Sequence, residues 1–248
     1  MRINADFSQR AELCAEQHQW VHSPQSGVHR VMLDRIGAEK ARATSLVRYA
    51  PDSYFPHHLH PGGEEILVLQ GVFSADDKHY PAGWYLRNPP GSGHQPYSDE
   101  GATIFVKLRQ MTEDEKQYVA IDTNDAEHWQ AQGKRQVCPL FSSEYEQVSL
   151  QRLQSGETVF DSRPEGGAEL LVVSGSLVEM KSDQLSDEYS AGSWIRLPAV
   201  IDDNTDEDIN SELNTRFANF KAGSDGVTLY LKTGHLAQVI GADNHSDS

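Results

Sequence analysis

Cysteine is scarce in this chain, with two among 248 residues, Cys14 and Cys138. Two thiols cannot build a disulfide framework, so the fold must rest on a buried apolar core, and a reducing compartment is expected. Basic residues are outnumbered, 21 Lys and Arg against 37 Asp and Glu, for a formal charge of −16. Such a field repels a phosphate backbone, which excludes broad nucleic-acid binding. Long apolar runs are missing as well. Nothing approaches the roughly 20 residues that a bilayer-spanning helix needs, so no membrane partner is expected. The opening stretch MRINADFSQRAELC has no basic-then-apolar leader, which points to the cytoplasm. Helical periodicity is weak too. Only residues 8–18 and 112–117 carry enough of it to predict short helices.

What is present is alternation. Short apolar runs set off by Gly, Pro, Asn and Asp predict strands at Thr44–Tyr49, Glu65–Leu69, Gly83–Arg87 and Thr103–Leu108. A second series follows at Gln147–Leu153, Glu169–Val173, Ser193–Leu197 and Thr228–Thr233. The two series are copies. With Gly71 laid on Gly175, Ser45, Leu46 and Arg48 fall on Ser149, Leu150 and Arg152, and Gly62-Gly63 on Gly166-Gly167. Glu65 falls on Glu169, and YPAGWYLRNPPG (80–91) matches YSAGSWIRLPAV (189–200) after a short insertion. A repeat of this length means one domain used twice. The expected partition is 1–125 for the first copy, 126–240 for the second and a disordered tail at 241–248, joined through the polar segment 110–140. The acidic segment DDNTDEDINSE (202–212) reads as a solvated loop.

The first copy carries HHLHPGGEE from His57 to Glu65. On a strand His58 and His60 share a face, while His57 points away. The turn at Pro61-Gly62-Gly63 can fold Glu64 back toward that face, and a second hairpin ending PPGSGH brings His94 within reach. Three imidazoles and a carboxylate suit a borderline divalent cation.

The pattern His58-x-His60-x3-Glu64-x6-Gly71, then Gly83-x5-Pro89-x-Gly91-x2-His94, resembles the two motifs of the cupin superfamily. That likeness implies an all-β chain of two tandem cupin barrels (double-stranded β-helix, or jelly roll). It also implies one divalent metal ion in the first barrel, Zn²⁺ or Fe²⁺ by preference, on His58, His60, Glu64 and His94. More narrowly, ATSLVRYAPDSYFPHHLHPGGEEILVLQGVFS with FVKLRQ resembles the cupin domain of ChrR-type anti-sigma factors over roughly residues 20–111. This implies a zinc-binding regulatory or stress-sensing role and a link to a sigma-factor pathway. The separate helical sigma-binding domain of that family, with its His-x3-Cys-x2-Cys zinc pattern, is not seen. The same branch resembles non-haem iron dioxygenases that cleave diketones and hydroxyaryl ketones. That is the alternative reading, and it would place a small-molecule ligand in the first barrel. A third reading is a bicupin in which the metal only ties strands together. No general base or nucleophile constellation stands out, so no catalytic residue is assigned. A homodimer is also expected, because a large β-surface leaves edges to cover.

The second copy serves as an internal control. There His58, His60 and Glu64 become Ser162, Pro164 and Ala168, and His94 falls near Asp203. The strands persist without the ligand set, so the second copy is expected to hold no metal. Glu65, matched by Glu169, is read as structural. Arg48 and Arg152 are expected to form an ion pair or hydrogen bonds. Trp20, Trp84, Trp129 and Trp194 are expected to pack, and Tyr97, Phe105 and Lys107 are candidates to line a pocket near His94.

Overall fold

The computed structural model describes residues 1–38, 40–181, 186–199, 217 and 219–242. Its chain divides into two compact units, neither of them continuous in sequence. One comprises Met1–Asp6, His18–Ala126 and Val239–Ser248, and the other Phe7–Gln17 and Glu127–Gln238. The sequence-based partition ran unbroken to 125, so it differs at residues 7–17, at Ala126 and at 239–240. Of the expected tail, Gly241 and Ala242 lie in a turn and 243–248 fall outside the described residues, as does the whole acidic segment 202–212, Asp203 included.

Both units are built from antiparallel strands. In the first, Val28–Ile36, Arg42–Tyr49, Ala102–Leu108, Glu64–Ala75, Trp84–Asn88 and Val119–Asp122 pair in that spatial order. In the second, Arg135–Ser142, Gln147–Leu153, Phe220–Thr233, Ala168–Met180, Trp194–Leu197 and Ala11–Leu13 repeat the arrangement. The apolar interior follows from strand alternation. Tyr49, Ile66, Val68, Phe73 and Leu86 form the first core, and Leu153, Leu170, Val172, Leu177 and Ile195 occupy the matching places in the second.

Gly71 and Gly175, which anchor the repeat, have a physical reason to be glycine. Each has a positive φ, 68° and 73°, and a side chain there would run into the carbonyl oxygen of Gly101 or Gly226. Beside each the ladder slips by one residue, between Thr103 and Ile104 in one unit and between Val172 and Ser174 in the other. A bulge of this kind bends a strand so that a sheet can curl.

Neither predicted helix forms. Residues 11–13 are a strand on Trp194–Leu197, followed by a 3₁₀ turn at Ala15–Gln17, and the stretch 112–117 has only a turn at its start. Segments this short do not meet the cost of nucleating a helix, so the tertiary pairing decides. Among the described residues no helix is long and apolar enough to cross a membrane. Val119–Asp122 plays the part in the first unit that Ala11–Leu13 plays in the second, and it too is followed by a 3₁₀ turn, Ala126–His128. Each turn leads to a tryptophan stacked against the repeated arginine. Arg48 lies 3.9 Å from the Trp20 ring centroid and Arg152 3.7 Å from that of Trp129. The matched arginines are cation–π partners, and neither has an ion-pair partner among the described residues.

The outward face of the central strand carries a buried charged rung. Glu65 lies opposite Lys107 on one side and Arg87 on the other, and Glu169 lies between Lys232 and Arg196 in the same way. All six side chains are buried. Arg87 donates to Glu65 at 3.2 Å, while Trp194 Nε1 donates to Glu169 at 2.7 Å.

A four-residue cluster on a cavity wall

The metal-competent side chains come from two short strands and one strand entrance. His58–His60 pairs antiparallel with Ser92–His94, which sets His94 opposite His58, with His60 on the same face two residues on. Gly63 then turns the chain at φ 75°, and a Cβ there would overlap the Met111 side chain, so only glycine fits. Glu64 follows as the first residue of its strand.

One ligand atom from each of His58, His60, Glu64 and His94 lies within 4.8 Å of the others, and the group could hold a metal ion. The Nε2 atoms of His60 and His94 stand 3.5 and 3.4 Å from a Glu64 oxygen. Both are buried without a hydrogen-bond partner. Buried nitrogens left unpaired are costly unless something occupies the space between them. His58 Nδ1 sits 2.9 Å from the Pro56 carbonyl, which fixes its proton there and leaves Nε2 free to donate a lone pair. Burial and the neighbouring imidazoles depress His60 to about 3, and burial with His58 depresses His94 to about 4. These rings are neutral at physiological pH, the form that ligates. Burial raises Glu64 to about 7, against a hydrogen bond from Asn88 Nδ2 at 3.1 Å that favours the carboxylate. The donor set and its unpaired atoms thus fit a divalent cation.

Asn88 is a residue that the sequence reading missed. The repeat held the clue, since Asn88 in LRNPPG becomes Leu197 in IRLPAV where Glu64 becomes Ala168. His57 is exposed, as expected of a residue pointing away from the cluster. Glu65 faces the opposite side from Glu64, in its rung with Arg87.

His58, His60 and Glu64 form part of the wall of a cavity of about 840 Å³ whose other walls include Val28, Tyr49, Ile104 and Val106. Phe105 and Lys107 do not line it. Strand alternation puts Ile104, Val106 and Leu108 on the cavity side, and Lys107 turns away to donate to Thr44 at 3.0 Å. Tyr97 also lies off the wall, with its ring 6.2 Å from that of His79.

In the second unit the described residues at the corresponding places are hydrocarbon. Ala168, fully buried, stands where Glu64 stood, and Phe160 packs edge-on against Phe217 at 5.4 Å and Phe220 at 6.4 Å. Ser162 is exposed and lies outside any strand.

Two barrels of this topology, one of them with a three-histidine, one-glutamate cluster at its hairpins, give the chain the fold of a bicupin. Within it, residues 8–112 match the family described as the ChrR Cupin-like domain. Among curated proteins none matches the chain. Solved structures with the same fold include a Nostoc punctiforme protein described provisionally as a dioxygenase, at TM-score 0.61 and 12% identity, covering 96% of this chain and 84% of that one. The bacterial pirin YhhW of Escherichia coli, in complex with nickel(II), aligns at TM-score 0.59 and 12% identity over 91% of this chain and 98% of its own. An 11S allergen of Cocos nucifera aligns at TM-score 0.61 and 10% identity over 91% and 90%.

Proposed function

We propose that the first barrel holds one divalent metal ion on His58, His60, Glu64 and His94, and that it acts on a small organic molecule in the manner of a non-haem iron dioxygenase. The observation that carries this reading is the position of three of the four, His58, His60 and Glu64, on the wall of an 840 Å³ cavity. A site that only tied strands together would need no room beside it for a ligand.

Bound iron would supply the redox chemistry. The chain supplies the rest. Pro56 fixes the tautomer of His58, and Asn88 orients the Glu64 carboxylate. The apolar wall of Val28, Tyr49, Ile104 and Val106 keeps water from the reacting molecule and holds it against the cluster. Purification without oxygen, metal analysis and oxygen uptake on a diketone such as acetylacetone test the proposal. Stoichiometric iron with uptake that disappears in His60→Ala supports it.

A second reading has its own support. The match of residues 8–112 to the ChrR Cupin-like family, and a set of four protein ligands able to close a tetrahedral Zn²⁺, favour a zinc-holding module that senses stress. Tightly held zinc, with no oxygen uptake on any diketone, would decide for it.

A further inference from the structure

The cavity carries a second polar feature, away from the ligand set. Arg30 and Arg35 both line it, and both come from the strand Val28–Ile36. Five residues apart on a regular strand, they would face opposite sides. The ladder slips by one between Met32 and Asp34, and that bulge turns the two guanidiniums to the same side, opposite Val47 and Ala43 of the next strand.

Neither guanidinium has a carboxylate partner among the described residues. Arg30 Nε is buried with no hydrogen-bond partner, and the side-chain bond of Arg35 goes to the Ala38 carbonyl. Elsewhere this acidic chain answers its buried arginines with acids: Arg42 with Asp34, Arg87 with Glu65, Arg135 with Glu157. Burial, and then the charge of Arg30, press the Arg35 pKa below its usual value. Lys40 and Arg109 join them on the lining, where Glu64 is the one acid among the described residues.

The second unit repeats the scaffold without this feature. Its matching strand, Arg135–Ser142, keeps the bulge, between Pro139 and Phe141. Strand pairing puts Val137 opposite Gln151 and Ser142 opposite Gln147, the repeats of Val47 and Ala43, so Val137 and Ser142 replace Arg30 and Arg35. The arginines, like the histidines, belong to the first barrel alone and are not required to build it.

We propose that the cavity binds an organic carboxylate, its anionic end held by Arg30 and Arg35 and its apolar body lying against Val47, Ile104 and Val106. Guanidinium forks match carboxylates in shape and charge, and the apolar wall accounts for the body. This deepens the reading above by naming the class of its small molecule, yet its test needs no turnover and so stands or falls separately.

Calorimetric titration with octanoate and with octanamide, on protein as purified and on protein stripped by chelator, tests it. Charge-assisted hydrogen bonds to the arginines should make octanoate bind roughly tenfold or more tightly than octanamide, with or without metal. The double variant Arg30→Gln, Arg35→Gln should lose that preference while still binding octanamide and keeping its metal. Arg30→Lys, Arg35→Lys, which retains both charges, should keep part of it and guards against loss through misfolding. Equal binding of acid and amide, a preference that survives the Gln variant, or a preference that vanishes on chelation would each overturn the proposal. The last of these would put the carboxylate on the metal instead.

Discussion

The two barrels share a frame and differ in what fills it. Strand order, bulge glycines, charged rung and tryptophan–arginine stack all recur, whereas Glu64 and Asn88 of one interior become Ala168 and Leu197 in the other. The polar cluster in the first barrel is therefore not a by-product of building a barrel. Its buried, unpaired His60 and His94 nitrogens are a stability cost, whereas the described core of the second copy includes Phe160, Phe217 and Phe220. The first copy keeps what a ligand site requires and the second what a scaffold requires.

That contrast can be broken by experiment. The largest expected effect is all-or-none. His60→Ala or Glu64→Ala should abolish stoichiometric metal binding, while Ser162→Ala should leave the metal content unchanged, as read by elemental analysis of purified protein. Next come the rungs, where the barrels should behave alike. Glu65→Ala and Glu169→Ala each leave buried cations behind and should cost about 3–5 kcal/mol in denaturant unfolding. A rung that mattered in only one barrel would mean the shared frame is not shared in energy.

Removing metal should separate the barrels again. A ligand present at about 100 times its dissociation constant stabilises by roughly 2.7 kcal/mol. Chelation should therefore speed hydrogen exchange in strand Glu64–Ala75 and leave Ala168–Met180 as it was. Both cysteines lie in the second unit, which gives an independent reporter. Cys138 is fully buried, and burial raises its thiol to about 11, so alkylation must wait for the second barrel to open and should not quicken on chelation. The smallest effect is again a shared one: Arg48→Met and Arg152→Met should each cost about 0.5–1 kcal/mol in thermal unfolding, the usual worth of a cation over an aromatic face.

The sequence made the fold and the cluster legible because both write local signals. Strand alternation needs only neighbours, and the His-x-His and Glu spacing is set by a single hairpin and its glycine turn. What escaped depended on distant partners. Residues 11–13 look helical until Trp194–Leu197 offers them a ladder. Arg48 could be matched to Arg152, but the tryptophans beneath them lie at different separations along the chain and so fall out of register in that alignment. Phe105 and Lys107 were assigned to the pocket side, and strand facing, which a one-residue slip reverses, excluded them. The same kind of slip hid the Arg30 and Arg35 pair, since no count along the sequence puts residues five apart on one face.

The discontinuous second unit has a consequence for how the protein is made. On the ribosome the strand Ala11–Leu13 emerges early, but the edge it completes, Trp194–Leu197, is among the last pieces delivered. At about 5–20 residues per second the nascent strand must stay unclaimed for roughly ten to forty seconds. Slowing or stalling translation ahead of Trp194 should therefore leave an early β-segment open to chaperones and to stray pairing, in a chain whose first barrel already has most of its own parts.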